Sequence, residues 1–315
     1  LGLVDTPSAA RDLDMLRAAL GDTTLNYLGY SYGTLLGQVY ADLVPDKTGR
    51  LVLDGAVDPA ATDFEGTATQ AKGFESALKA FLADCAGASD CPFSGSVDDS
   101  LSEIRALLDN LDASPLRNSD GRQLGSSAMF TAIILPLYNK DNWQYLRQLF
   151  TDVFAGDPTY AFQLADNYNG RNEDGTYRDN QTEAFISINC LDAHGDGDVA
   201  TMRAEAAELK QLAPVFGPQM SWGGTGCPNW PVPAKRDRAP IVADGSSDIL
   251  VIGTTNDPAT PYSWAVTVAN TLSKGHLVTY EGEGHTAYNK SNACVNDTVD
   301  DFLINGTVPA ADPKC

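Results

Sequence analysis

The sequence has no uninterrupted apolar run approaching the length of about 18 residues that a membrane-spanning helix needs, so it predicts no such helix. Basic residues are scarce: 21 lysines and arginines stand against 42 aspartates and glutamates, a formal net charge of −21. Because phosphate binding requires a basic surface, this balance argues against nucleic acid and anionic membranes as partners. Solubility alone explains the acidic excess, and attraction of a cationic group, such as a free peptide N-terminus, stays open.

Histidine is also rare, with 3 in 315 residues, and no cysteines lie in a Cys-x-x-Cys or Cys/His cluster of the kind that binds zinc. The sequence therefore predicts no metal site. It also lacks a recognisable signal peptide, an internal repeat and any low-complexity stretch. Because the chain begins at Leu1 rather than at a methionine, we expect that an upstream segment has been removed.

Cysteines are present in an even number, six, which is typical of a protein that folds in an oxidising compartment. A short polar turn separates Cys85 from Cys91, which suits a small disulfide loop, and Cys315 would tie down the end of the chain. Six buried free thiols in a cytosolic protein are the alternative. The predicted pairs are Cys85–Cys91, Cys190–Cys227 and Cys294–Cys315.

Hydrophobic periodicity divides the chain into residues 1–60, 61–234 and 235–315. The first segment predicts a strand, a helix and a strand in succession, as in a parallel βαβ unit. The middle segment has helical patterns and few strand signals, which predicts a helical cap, and the third returns to alternating strands and helices. The predicted fold class is α/β, a mostly parallel sheet flanked by helices with a helical insertion. Its predicted strands are 24–29, 50–55, 248–253 and 276–280.

A Gly-x-Ser-x-Gly motif, centred on Ser31, lies between a predicted strand and a predicted helix. In such a motif a tight strand-to-helix turn exposes the serine hydroxyl above a sheet, and the glycines leave room for strained backbone. A bare match is a weak signal, but the flanking elements strengthen it. We therefore predict that Ser31 is a nucleophile. Asp54, at the end of the next predicted strand, and Asp58 are interpreted as structural or loop-shaping.

A serine nucleophile needs a base and an acid, which follow it in the order Asp, then His, in this kind of fold. His285 lies just past the last predicted strand and is the predicted base. His194 lies in the predicted cap, and His276 opens a strand and is predicted to be structural. Asp257, after strand 248–253, is the predicted acid. A simple Asp-Pro turn at Pro258 is the alternative explanation of that aspartate.

Four segments resemble the secreted tripeptidyl aminopeptidases of actinobacteria, in the proline-iminopeptidase-like branch of the α/β-hydrolases. They are Gly-Tyr-Ser-Tyr-Gly-Thr (29–34), Val-Leu-Asp-Gly-Ala-Val-Asp-Pro (52–59), Asn-Asp-Pro-Ala-Thr-Pro (256–261) and Gly-His-Thr-Ala-Tyr (284–288). The cysteine positions are also similar, and the resemblance covers most of the chain, weakly through 100–180. It implies the α/β-hydrolase fold, an extracellular bacterial location, whether free or on the cell wall, and Ser31, Asp257 and His285 as a catalytic triad.

The same resemblance implies a serine exopeptidase that releases short peptides from a free N-terminus, without a metal or organic cofactor. The Tyr32 amide would donate to the oxyanion. Asp192 is a candidate for binding the substrate ammonium, with a solvated surface acid as the alternative. A secreted carboxylesterase or lipase-like hydrolase, and a non-catalytic binding protein of the same fold, are the competing hypotheses.

The front of the chain departs from that family. Its members carry a long region ahead of the nucleophile, with the first strands of the sheet and a loop that supplies the second oxyanion donor. Nothing of that kind precedes Ser31 here. We expect a separate N-terminal polypeptide of the same precursor to complete the fold, with an inert fragment as the alternative.

Overall fold

A computed structural model describes residues 2–193, 195 and 197–315. The chain forms two compact units. The first comprises Leu1–Gln70, Ile186–Asp198 and Gly224–Cys315, and the second Ala71–Phe185 and Val199–Gly223. The second unit lies within residues 61–234, the segment that the sequence predicts to be a cap. Its role as a cap stays a prediction.

The first unit contains a four-stranded sheet made of β1 (Leu25–Tyr30), β2 (Thr48–Asp54), β5 (Ile249–Asn256) and β6 (Gly275–Glu283). All neighbours are parallel, in the order β1-β2-β5-β6. Tyr30 pairs with Asp54, and Asp54 pairs with Ile252, so the strands end close to one another. Ligands of open α/β sheets bind outside these carboxyl ends. The segments after β1, β5 and β6 therefore share one edge of the sheet.

Side chains alternate between the two faces of this sheet. Leu51 and Leu53 belong to one buried cluster and Val52 to another. Helices contribute residues to both clusters, such as Val39 of the helix after β1 to the first and Phe302 of the helix after β6 to the second, so the sheet is covered on both faces, as a parallel sheet requires. This arrangement confirms the predicted α/β fold class. The helices of this unit are α1 (Thr6–Leu20), α2 (Tyr32–Leu43), α11 (Tyr262–Thr271) and α12 (Ala293–Asn305), with a 3₁₀ turn at Pro45–Lys47.

The second unit is mainly helical, and its described strands, β3 (Leu116–Arg117) and β4 (Gln123–Leu124), form a short hairpin. Aromatic rings fill its core: Phe74 stacks on Phe216 with centroids 5.3 Å apart, and Phe93 meets Phe150 edge-on at 4.9 Å. The helices are α4 (Val97–Ala113), α5 (Ser126–Leu137), α6 (Trp143–Phe154), α7 (Thr159–Tyr168), α9 (Val199–Leu212) and α10 (Phe216–Met220), with 3₁₀ turns at Lys140–Asn142 and, beside the boundary, Gly223–Thr225. The chain passes between the units in α3 (Asp63–Cys85) and α8 (Gln181–Asp192).

All six cysteines are paired, and the three disulfides are the predicted pairs, Cys85–Cys91, Cys190–Cys227 and Cys294–Cys315. The last of them anchors the end of the chain beside the sheet. There the Cys315 amide donates to the Thr279 carbonyl of β6 at 2.7 Å. The C-terminal segment therefore extends the hydrogen bonding of the edge strand.

The part of the chain that the structure describes holds no group of three or more His, Cys, Asp or Glu residues placed to bind a metal ion. Within the same residues, no helix combines the length and the hydrophobicity needed to cross a membrane.

Candidate active site

Ser31 is the single residue between β1 and α2, and its backbone adopts φ 53° and ψ −120°, which non-glycine residues rarely do. Its amide donates to the Asp54 carbonyl and its carbonyl accepts from the Thr34 amide, both at 2.9 Å. A Cβ at Gly29 would lie 2.5 Å from the Gly33 carbonyl oxygen, so this tight turn requires glycine there. Backbone strain of this kind concentrates at functional sites.

Asp257 and His285 form a buried pair at the same edge of the sheet. Asp257 directly follows β5, and His285 lies just past β6. The His285 Nδ1 atom is 2.9 Å from each carboxylate oxygen of Asp257, and the two residues are only 7% and 2% exposed. A carboxylate bonded at Nδ1 fixes the tautomer whose Nε2 can accept a proton. The pair therefore has the geometry of an oriented general base.

Thr260 joins this pair, and the sequence analysis missed it. Its hydroxyl donates to Asp257 Oδ2 at 3.1 Å and lies 3.3 Å from His285 Nδ1. The amides of Ala259 and Thr260 both donate to Asp257 Oδ1 at 2.9 Å. The Asp-Pro-Ala-Thr sequence contained a signal for these contacts, because an aspartate side chain in a turn often accepts from the backbone two residues on.

Gly55 brings the imidazole close to the serine turn. A Cβ built at this position would lie 3.3 Å from His285 Cε1. The preceding residue, Asp54, accepts the Ser31 amide through its carbonyl oxygen. Residues 54–55 therefore contact the serine turn on one side and the imidazole on the other. The structure brings all three predicted residues to this edge, and their catalytic role stays a prediction.

Asp54 is itself fully buried at the end of β2. Burial raises the pKa of its carboxyl to about 6, and the charge of Asp257 acts in the same direction, while backbone N–H groups of Tyr288 and Ala287 oppose the rise. Perturbed carboxyls of this kind cluster at functional sites. The hydrophobic pattern around Asp54 predicted only a strand end, so it held no signal for this environment.

Tyr32, the predicted oxyanion donor, is the first residue of α2, so its amide has no earlier carbonyl partner within the helix. Its hydroxyl lies 2.7 Å from Thr6 Oγ1. The Thr6 hydroxyl donates its single hydrogen to Asp192 at 2.5 Å, so Tyr32 must be the donor to Thr6. Burial raises the pKa of Tyr32, which keeps that hydroxyl protonated.

Asp192, the predicted ammonium ligand, is 6% exposed and accepts from both the amide and the hydroxyl of Thr6. A solvated surface acid, the alternative considered from the sequence, is therefore wrong for this residue. Its carboxylate links the front of the chain to the helix that begins at the serine turn. Binding of a substrate ammonium there stays a prediction.

The remaining histidines lie elsewhere or are not described. His276 Nε2 lies 2.8 Å from Asp248 Oδ1, at the amino ends of β6 and β5, far along the strands from the serine turn. The structural role predicted for His276 stays a prediction. His194 lies outside the described residues.

Comparison with known proteins gives a family match for the segment that contains Asp257 and His285. Residues 213–315 match the family model described as TAP-like protein. The C-terminal third of the chain is therefore similar to the TAP-like family. Hip1, a serine protease of Mycobacterium tuberculosis (strain H37Rv), is 36% identical over 330 residues, which cover 100% of this chain and 62% of that protein. The match supports the resemblance seen in the sequence motifs.

Two further relatives are similar to this chain. Carboxylesterase B of the same M. tuberculosis strain is 37% identical over 319 residues, covering 100% of this chain and 61% of that protein. The tripeptidyl aminopeptidase of Streptomyces lividans is 28% identical over 313 residues, covering 98% and 58%. The chain thus spans about three fifths of the relatives' length. These comparisons give no support for a separate N-terminal polypeptide, which stays a prediction.

Proposed function

We propose that this chain carries the active site of a serine exopeptidase that cleaves peptide bonds near free N-termini. The observation that supports the proposal best is the contact of His285 Nδ1 with both Asp257 oxygens, at the sheet edge where Ser31 occupies its strained turn. Nucleophile, base and orienting acid are the groups that acyl transfer requires.

In the proposed reaction, Ser31 Oγ attacks the scissile carbonyl while His285 Nε2 takes the hydroxyl proton. Asp257 holds the imidazole and stabilises its cationic form. The Tyr32 amide donates to the oxyanion of the tetrahedral intermediate, together with a second donor. His285 then protonates the leaving amine and activates a water that hydrolyses the acyl-enzyme. No step draws on a metal or organic cofactor.

Peptide substrates are supported by two relatives, which are named serine protease and tripeptidyl aminopeptidase. A net charge of −21 favours a cationic group such as a free N-terminus over an anionic partner. The amide and the hydroxyl of Thr6 already donate to the Asp192 carboxylate. An ammonium that bound there would have to share the carboxylate with these two donors. The three disulfides fit an extracellular location, which we also propose.

The second candidate is a carboxylesterase using the same residues, because one relative bears that name. Three substrates separate the candidates when they are compared on the full-length protein: a peptide anilide with a free N-terminus, the same anilide with a blocked N-terminus, and a simple acyl ester. Turnover that requires the free amine supports the exopeptidase. Turnover of the ester alone supports the esterase. Ser31→Ala serves as the control, and activity that survives this change would refute both.

A further inference from the structure

Asp54 occupies a position that links the two halves of the candidate site. It is the last residue of β2, between β1 and β5, and it is fully buried. Its main chain faces the nucleophile, since its carbonyl accepts the Ser31 amide at 2.9 Å. Its side chain points instead to the loop that follows β6. One residue therefore contacts both the serine turn and the histidine loop.

The loop after β6 turns several backbone amides toward carboxylates. Gly284 and Thr286 have positive φ values of 101° and 64° on either side of His285. The Thr286 amide donates to Asp257 at 3.2 Å. The Ala287 amide lies 3.0 Å from each Asp54 oxygen, and the Tyr288 amide donates to Asp54 Oδ2 at 2.8 Å. Successive amides arranged in this way form a concave site for anions.

We propose that Asp54 is a positioning residue for His285, because its carboxylate binds the Ala287 and Tyr288 amides and so holds the loop that carries the imidazole. The inference deepens the proposed function and rests on it. Two acids would then divide the work: Asp257 orients the ring itself, and Asp54 orients the backbone that bears the ring. Removing the second should misplace the base without touching the substrate.

The electrostatics of the position support a functional reason for a charged side chain. A fully buried carboxylate is unfavourable unless hydrogen bonds compensate it. Here the compensation comes from two amides of the loop and from the nearby imidazole, against the repulsion of Asp257. The other titratable group coupled to Asp54 is Tyr30, beside the nucleophile. The raised pKa of Asp54, about 6, means that mild acid protonates it and weakens its grip on the amides.

The test compares Asp54→Asn with wild type and with Asp58→Asn in the full-length protein. Asp58 is a matched control, since among the described residues its carboxylate accepts only a local turn amide, that of Ala60 at 2.9 Å. The readouts are kcat and KM with the substrate that wild type turns over, and the rate at which a fluorophosphonate labels Ser31. We expect Asp54→Asn to lower kcat and the labelling rate by about 10- to 100-fold with KM within about twofold, as for a small misplacement of a catalytic group. Asp58→Asn should match wild type.

A pH profile separates positioning from a structural role. In wild type, protonation of Asp54 contributes to the loss of labelling below about pH 6. Asp54→Asn should remove that contribution and make the acid limb less steep. An unchanged profile with kcat close to wild type would overturn the proposal. If Asp54→Asn does not fold, Asp54→Ser, which keeps one acceptor, replaces it, and failure of both to fold would overturn the assignment to the loop.

The proposal and the proposed function fail in different ways. If wild type is not labelled at Ser31, the triad itself is wrong. If wild type is labelled and Asp54→Asn is labelled equally fast, the triad stands and the role of Asp54 is refuted.

Discussion

Replacing Gly29 by alanine should disrupt the turn at Ser31, although Gly29 itself lies in β1. The added Cβ would lie 2.5 Å from the Gly33 carbonyl oxygen and 2.6 Å from both the Gly33 carbonyl carbon and a Tyr27 ring carbon. These distances are far inside the roughly 3.5 Å optimum for carbon contacts, and two of the three partners are backbone. Overpacking of this kind costs about 1–3 kcal/mol. The clash pushes α2 away from β1, and Ser31 moves with α2. A displacement of about 1 Å at a catalytic group lowers activity by about 10²-fold.

Two measurements check this prediction: denaturant unfolding for stability, and fluorophosphonate labelling for the reactivity of Ser31. Gly66→Ala is the matched control, since a Cβ at Gly66 in α3 would meet nothing within 4 Å and its φ is not positive. That control should be unchanged or more stable by about 0.5–1 kcal/mol, as expected for alanine in a helix. If Gly29→Ala has the same stability in denaturant and the same labelling rate as wild type, the close approach of strand and helix does not position the serine.

Further predictions follow from the acid–base pair, the buried acid and the disulfides. Asp257→Asn should lower kcat by about 10⁴-fold with little change in KM, because His285 is no longer held in the tautomer that accepts a proton at Nε2. Steady-state kinetics measure this, and a kcat equal to that of wild type would contradict the prediction. Folding raises the pKa of Asp54 from 3.8 to about 6. Its contribution to the free energy of unfolding is therefore complete below pH 4 and is lost as pH rises through 6, and the loss amounts to about 3 kcal/mol. In urea unfolding measured from about pH 4 to 8, the stability of Asp54→Asn should therefore rise relative to that of wild type. A difference in unfolding free energy that stays constant with pH would contradict the raised pKa. Alkylation followed by mass measurement should find no modified cysteine in the folded protein and six modified cysteines after reduction.

The sequence predicted the sheet of the first unit well because its central strands, β2 and β5, are largely buried on both faces. Parallel strands of that kind appear as continuous apolar runs, as at 249–252 in β5. Ser31 was predicted from the Gly-x-Ser-x-Gly motif, and Asp257 and His285 from their places just beyond predicted strands. Because parallel strands place their carboxyl ends on one edge, the prediction that the three residues converge there did not require the strand order.

The rest of the site depends on contacts that no local pattern records. Asp54 and Tyr288 are 234 residues apart, and Thr6 and Asp192 are 186 apart. Their partners become known only when the fold brings them together. The helix α8 has buried residues only at its end, at Cys190, Leu191 and Asp192, so it lacks the apolar period of a surface helix and has little local signal of its own.

The backbone at position 31 has a consequence for how this protein can change over generations. Glycine would occupy φ 53° freely, whereas serine there costs about 1–3 kcal/mol. The most stable version of the fold therefore has no side chain at this residue. Selection for stability alone would favour glycine here, so the proposed role of the hydroxyl supplies the reason for a serine at this position.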